Sequence, residues 1–299
     1  MDPLPLTAAS DSADTFHSHR PRLMGLAYRM LGSRADAEDV VQDAWLRWSA
    51  ARPEALQSAE AWLVTVVTRL SIDRLRAVKA ERAHYAGFWL PEPLLTDGPD
   101  SPEQMLELAG DISLAFLAVL EKLTPDERAA FLLREVFDAD YADVAQTLGK
   151  SQAACRQLVS RAKSQVRAEK TRFSVSREQH LQLLERFAAA ARTGDMKALK
   201  ALLSDDVALI SDGGGVVPSF GKVLRGSQRL AQYYFALARR HGPAMRLEIA
   251  GINGMPGLLR FVDGQLESVQ AIYFEAGRVA EIRAQRNPHK LARLMSQIG

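Results

Sequence analysis

Residues Tyr141 to Arg167 read YADVAQTLGKSQAACRQLVSRAKSQVR, two short helical patterns around a tight turn, the second of them basic. Val144, Ala145 and Leu148 mark the first helix, and Gly149, whose missing Cβ suits the left-handed conformation, ends it. Ser151 is placed to cap the next helix. There Ala154, Leu158, Ala162 and Val166 recur every four residues, with Cys155 and Val159 beside them, so one side packs inward. The opposite side carries Arg156, Gln157, Ser160 and Lys163, with Arg161 on its flank. This is the layout of a helix-turn-helix whose second helix enters a major groove. Arg and Gln match base edges there, and Arg, Lys and Ser hold phosphates. A solvated amphipathic helix has the same periodicity, so the neighbouring segments must decide.

Working outward, the 299 residues exceed one typical core and imply two or three domains of ordinary globular composition, 47% hydrophobic and 25% charged. The net charge of +2 is unevenly spread. Lys150 to Arg172 holds seven basic residues and one acidic, whereas Asp36 to Asp43 holds four acidic residues and no basic one. Two surfaces of opposite sign imply two different partners. The single cysteine, Cys155, excludes an internal disulfide and a cysteine metal cluster and fits a reducing cytoplasm; no metal and no cofactor are expected. The N-terminal MDPLPLTAASDSAD lacks the pattern of a signal peptide, and the apolar run Ile112 to Leu120 is too short to span a membrane.

The first block, residues 16–86, reads as wholly helical. Leu23, Leu26, Ala27, Met30 and Leu31 form a stripe ending at Gly32, and Ser33 with Asp36 resembles a capping pair for SRADAEDVVQDAWLRW. Val40, Val41, Ala44, Trp45 and Trp48 supply that helix's packing side, leaving Asp36, Glu38, Asp39, Gln42 and Asp43 for solvent or a basic partner. A third helix starts near Ala59 with an apolar first half. Its basic second half brings Arg69, Arg74, Arg76, Lys79 and Arg82 within fourteen residues. Trp62 on this helix is better read as core than as a stacking platform. Residues 87–102 are rich in Gly, Pro and Asp and read as a linker, yet Phe88, Trp89, Leu90, Leu94 and Leu95 suit a chain lying on a surface. The second block, 103–172, is helical again. Thr124-Pro125-Asp126-Glu127 is a strong helix start, and the block ends in the helix-turn-helix.

From Ser176 onward two helices, Arg177 to Thr193 and Met196 to Leu203, precede five strand patterns read as antiparallel, interrupted by a helix at Ser227 to Arg240. Helices first and strands later suggest an α+β fold. Asp206, Asp212 and His241 are available as acids or bases, but no spacing ties them into a dyad. Asp212 before Gly213, Gly214 and Gly215 reads more simply as a turn, the acid accepting backbone N–H bonds.

Together these motifs resemble the extracytoplasmic-function sigma factors. LAYRMLGSRADAEDVVQDAWLRW and AWLVTVVTRLSIDRLR look like their promoter-melting domain, and the second block looks like their −35-reading domain. The third block is similar to the SnoaL-like, cone-shaped extension of one subgroup. That subgroup's linker holds a DLPEPL-like motif and its extension holds DGGG and NPDKL-like motifs. Here they stand as WLPEPL (Trp89, Leu90, Pro91, Glu92, Pro93, Leu94), DGGG (Asp212 to Gly215) and NPHKL (Asn287, Pro288, His289, Lys290, Leu291). Trp89 and His289 depart from the motifs, each standing where the relatives have an acid.

The resemblance implies two all-α bundle domains, the second with a helix-turn-helix, followed at 176–299 by an α+β SnoaL-like domain. It implies binding to core RNA polymerase, both the β′ clamp coiled coil and the β subunit, with Asp36, Glu38, Asp39, Gln42 and Asp43 on the docking helix. Promoter contacts fall to Arg69, Arg74, Arg76 and Lys79 at −10 and to Arg156, Gln157, Ser160, Arg161 and Lys163 at −35. The third domain is expected to fold back on the linker as a regulator and to offer a place for a small ligand or a protein partner. A one-component regulator sensing a ligand leaves the acidic helix unexplained, and an enzyme fused to DNA-binding helices lacks a catalytic constellation.

Overall fold

The computed structural model describes residues 6–51, 58–82, 85, 87–96, 113–170 and 176–298. Its helices run α1 (Leu6–Leu31), α2 (Arg34–Ala50), α3 (Ala59–Arg82), α4 (Leu114–Leu120), α5 (Pro125–Glu135), α6 (Tyr141–Leu148) and α7 (Gln152–Lys170). An α+β part follows, with α8 (Arg177–Thr193), α9 (Met196–Leu202), β1 (Leu203–Asp212), β2 (Leu224–Arg225) and α10 (Ser227–His241). It closes with β3 (Met245–Ile252), β4 (Met255–Val262), β5 (Gln265–Glu275), β6 (Arg278–Gln285) and α11 (Pro288–Ile298).

The chain folds into two compact units. The first comprises Met1–Glu81, Asp100–Ile112 and Val119–Arg167; the second comprises Arg82–Pro99, Ser113–Ala118 and Ala168–Gly299. Residues 52–57, 83, 84 and 86 of the first block, 97–102 of the linker, and 103–112 and 171–172 of the second block lie outside the described residues.

In the first unit the expected stripe Leu23, Leu26, Ala27, Met30 and Leu31 is buried, and Gly32 takes φ +65° to end α1. The helix begins earlier than the polar N-terminus suggests. Phe16 is buried, and the Trp48 indole donates to the Ser12 carbonyl at 2.8 Å. Ser33 Oγ accepts from Asp36 N at 3.3 Å, starting α2. At α5 the full capping box forms, with Thr124 and Glu127 each accepting the other's backbone N–H. Arg128 then donates to the buried Met30 carbonyl at 2.6 Å, pinning α5 to α1.

The second unit is built on a six-stranded sheet of order β2-β1-β6-β5-β4-β3. The strands are not all antiparallel, as the sequence suggested, because β1 pairs parallel to β6. That pairing needs a long crossover, and the segment from α10 through β5 provides one. The β3–β4 and β5–β6 hairpins turn at Asn253-Gly254 and Ala276-Gly277, all four residues at positive φ as a two-residue turn of this hand requires. Leu184, Phe187, Leu203, Leu209, Leu230, Tyr234, Ile272 and Ile282 form the core between α8, α10 and the sheet.

Candidate nucleic-acid interface

The helix-turn-helix sits in the first unit. Asp140 caps α6 through the Asp143 N–H at 2.8 Å, and Gly149 ends it at φ +62°, ψ 36°. Ser151 Oγ then accepts from Ala154 N at 3.2 Å to start α7. Cys155, Leu158 and Val159 pack with Ala130, Leu133 and Val144, and burial pushes the Cys155 thiol up despite nearby Lys150. Arg156, Gln157, Ser160 and Arg161 are exposed and Lys163 is half-buried.

These side chains divide by what holds them. Arg161 pairs with Glu127 at 3.2 Å and Lys163 with Glu135 at 2.7 Å, so two acids of α5 brace the two flanks of α7. Arg156 donates to Gln152 Oε1 at 3.2 Å and lies 5.0 Å from the centroid of the Tyr141 ring. Tyr141, which sequence reasoning passed over, also receives Arg134 at 5.2 Å and lines a hollow of about 400 Å³ with Arg156, Ser160, Lys163, Ser164 and Arg167. The hollow presents cations and hydroxyls, the donor set for phosphate.

On α2, Asp36 is tied down, with Arg74 Nη2 at 2.7 Å from its carboxylate. Glu38 pairs with Arg34 at 3.0 Å. Asp39, Gln42 and Asp43 are exposed, and Leu46, at 55% exposure, joins them. Three of the four −10 candidates on α3, Arg69, Arg74 and Arg76, are engaged within the first unit. Arg69 donates to the carbonyls of Thr147 and Gln146, both at 2.9 Å, and so caps the C-terminus of α6. Thr65 Oγ1 lies 3.0 Å from Thr147 Oγ1. Arg76 pairs with Asp126 at 3.1 Å, and Lys150 reaches the same carboxylate at 2.9 Å. Trp62 packs on Trp48, with centroids 5.6 Å apart. The side chain of Lys79 lies outside the described residues.

The second unit contains a clamp on the linker, centred on Asp212. This carboxylate is fully buried and five donors reach it. Tyr85 Oη at 2.6 Å and Gly214 N at 2.9 Å take Oδ1. Leu90 N at 2.9 Å, Gln285 Nε2 at 3.1 Å and Lys290 Nζ at 2.8 Å take Oδ2. Gln285 and Lys290 also donate to the Leu90 carbonyl, at 3.1 and 2.6 Å, and Gln285 reaches that of Pro91 at 3.3 Å. The Asn287 amide donates to Tyr85 Oη at 2.9 Å and its oxygen caps α11 through His289 N at 3.0 Å.

Gly214 is required here, since at φ +65° a Cβ would sit 2.4 Å from Asn287 Cγ; at Gly213 it would sit 2.3 Å from the Val217 carbonyl. Further along, Leu94 and Asn253 exchange hydrogen bonds at 2.8 and 2.9 Å, Thr96 N donates to Gly251 O at 2.9 Å, and Leu95 bridges Ile252, so the linker adds itself to the edge of β3. Leu90, Glu92 and Leu291 are buried, as is Pro91 beside Pro93.

At the departing position, Trp89 stacks on a cation: Lys290 Nζ lies 4.2 Å from its ring centroid. His289 is exposed, and its backbone N–H donates to Asn287 Oδ1. Sequence reasoning missed Tyr85, Asn253 and Gln285. The Asn253-Gly254 turn signal was present, whereas nothing marked Gln285.

Between α10 and the sheet, Glu267 accepts from Arg260 at 2.6 Å and from Arg286 at 2.7 Å. Burial alone would raise the Glu267 pKa, but the two guanidiniums outweigh it and hold the carboxyl below its usual range. Tyr234 donates to Gln270 at 2.9 Å beside them. Asp206 is exposed at the start of β1. Among the described residues no three His, Cys, Asp or Glu side chains are grouped to hold a metal ion, and no helix is long and apolar enough to cross a membrane.

The Sigma-70 region 2 family matches residues 15–81, and the Sigma-70 region 4 family matches residues 113–166. The chain is similar to the ECF RNA polymerase sigma factor SigJ of Mycobacterium tuberculosis (strain ATCC 25618 / H37Rv), 38% identical over 288 residues, which cover 92% of this chain and 91% of the relative. It is also similar to the probable ECF RNA polymerase sigma factor SigI of Mycobacterium tuberculosis (strain CDC 1551 / Oshkosh), 31% identical over 286 residues, or 95% and 96% of the two chains. Among solved structures, the crystal structure of the Mycobacterium tuberculosis extracytoplasmic function sigma factor SigJ matches with a TM-score of 0.76 at 36% identity, covering 94% of this chain and 98% of that one.

Proposed function

The chain belongs to the extracytoplasmic-function (ECF) RNA polymerase sigma factors, and on that premise we propose that it binds core RNA polymerase and directs it to promoters, with its α+β domain governing the linker between two DNA-reading segments. Core binding falls to the outward side of α2, where Asp39, Gln42, Asp43 and Leu46 offer acids around one apolar contact. Asp36 and Glu38, already paired, shape that helix instead. Base reading at −35 falls to Arg156, Gln157 and Ser160, while Arg161 and Lys163 orient α7 and meet phosphates when their acids release them. Arg69, Arg74, Arg76 and Lys79 serve the −10 side.

The single observation carrying the regulatory half is the fully buried Asp212, which gathers Tyr85, the Leu90 N–H and Lys290 around one carboxylate. Five donors exhaust the lone-pair directions of a carboxylate, so Asp212 holds the linker and is not a general acid or base. The chain is therefore a specificity subunit without chemistry of its own, working in the compartment where polymerase and DNA meet. Residues 16–86 act as the core-binding and melting domain, 87–102 as the linker, 103–172 as the −35 domain and 176–299 as the SnoaL-like regulator. Co-elution with core RNA polymerase tests the first half, expected for the full chain and lost when Asp39 and Asp43 are both changed to Arg. Transcription by the chain truncated after Arg172 tests the second; activity equal to that of the full chain would refute it.

A further inference from the structure

Between Asp212 and Glu248 lie thirty-five residues without one acid, carrying Lys222, Arg225, Arg229, Arg239, Arg240 and Arg246. Helix α10 occupies the middle of this stretch. Leu230, Ala231 and Tyr234 fix its buried side against the core. The opposite stripe, Gln228, Arg229, Gln232, Phe235, Arg239 and Arg240, is exposed, with Phe235 at 42%. Arg246 is spoken for, paired with Glu248 and stacked on Phe261. Lys222, Arg225, Arg229, Arg239 and Arg240 make no side-chain hydrogen bond or ion pair among the described residues. β1, with which β2 pairs, carries the exposed Asp205 and Asp206 near its start.

Helix stability explains only part of this. Arg239 and Arg240 lie in the last turn, where a cation suits the helix dipole. Arg229 lies in the first turn, the wrong end for a cation, and that turn has neither an acid nor a side-chain cap. A helix selected only to fold would carry an acid there. The exposed guanidiniums and amides are instead the donor set that duplex phosphates accept. From Arg229 to Arg240 the stripe runs about 16 Å at the α-helical rise, and duplex DNA presents a charge about every 1.7 Å of axis.

We propose that this face of α10 binds the phosphate backbone of duplex DNA, giving the α+β domain a third, sequence-independent contact with the promoter. The inference rests on the reading of the chain as a promoter-directing subunit. On that reading, contact with the promoter raises affinity for every duplex alike and makes the regulatory domain sensitive to whether DNA is present.

The test is the salt dependence of duplex binding by the full chain assembled with core polymerase, comparing wild type with Arg225→Gln/Arg229→Gln/Arg239→Gln/Arg240→Gln. The slope of log affinity against log salt should fall by about three to four, near one per lost phosphate contact. Cognate and unrelated duplexes should weaken by the same factor. The corresponding Arg→Lys set should keep the slope, and an Arg229→Gln/Arg240→Gln pair should lower it by about two if the fourfold variant folds poorly. An unchanged slope overturns the proposal. So does an unchanged slope with lost core co-elution, which assigns the stripe to an acidic protein surface. If wild type itself neither binds core nor initiates, the failure belongs to the preceding reading and not to this face.

Discussion

The Lys290 ammonium lies 2.8 Å from the Asp212 carboxylate, the only charge pair among the five donors on that fully buried acid. Deleting the acid strands the cation and four neutral donors together. Asp212→Ala is expected to destabilise the second unit by about 3–5 kcal/mol, as for a broken buried pair. Denaturant unfolding of the full chain reads the loss, and proteolysis within residues 87–96 should accelerate with it. A change below about 1 kcal/mol would show that the clamp is not built on this carboxylate.

Trp89 offers the same ammonium a ring at 4.2 Å. A stacked cation is screened less by salt than an exposed ion pair. Trp89→Leu should weaken linker docking by about 0.5–2 kcal/mol. Trp89→Asp should restore docking at low salt and lose it at high salt, whereas wild type changes little. Tryptophan fluorescence and protease protection across a salt series distinguish the three.

The contacts of Arg69 with α6 set up a geometric conflict. Elements at −35 and −10 lie about 25 base pairs apart, on the order of 85 Å at about 3.4 Å per step, while α3 and α6 touch at 2.9 Å. On the proposed assignment of α3 to −10 and of the α6–α7 helix-turn-helix to −35, promoter engagement separates them. Thr65→Cys with Thr147→Cys, at positions whose hydroxyls are 3.0 Å apart, should form a disulfide that blocks promoter-directed transcription until a reductant is added. Full activity of the oxidised, cross-linked chain would contradict this.

Much of this was legible in the residues. Glycine stops at Gly32 and Gly149, the Thr124 capping box and the inward stripe of α7 are local signals, and the corresponding elements start and stop there. Strand pairing was not. The parallel β1–β6 ladder joins residues about seventy positions apart, and no local pattern specifies a partner. Missing too was the engagement of Arg69 and Arg76 by α6 and Asp126, because sequence shows a cation but not what neutralises it. The Asp212 turn was read as a backbone-capping device, and Gly214 N does donate to it; the further reach to Tyr85 and Lys290 depends on residues more than seventy positions away.

Within α7, the braced and unbraced cations should behave differently. Arg156→Ala is expected to cost about 1–3 kcal/mol on the cognate promoter and to relax selectivity at one −35 position. Arg161→Ala, losing Glu127 as well as a phosphate, should weaken all promoters alike. A base-substituted promoter panel separates the two.

His180 supplies a pH dependence. It is buried edge-on to Phe274 at 5.0 Å, and burial depresses its pKa below 6.5, with the Pro256 carbonyl opposing and Arg177 assisting. The unfolded chain then binds the proton more readily, so stability is full above about pH 6.5 and declines as pH falls towards the depressed value. Thermal melts between pH 7.5 and 5 should show that decline, and His180→Phe should flatten it; a parallel decline in the variant would assign the acid sensitivity elsewhere.

The most direct measurement of the whole account is run-off transcription with purified core RNA polymerase on promoter templates carrying altered −35 and −10 elements. The chain should convert core to specific initiation that depends on both elements, with the dependence on one −35 position relaxed in Arg156→Ala. Core that initiates no better with the chain than without it, on any promoter the chain's own cell transcribes, would contradict it.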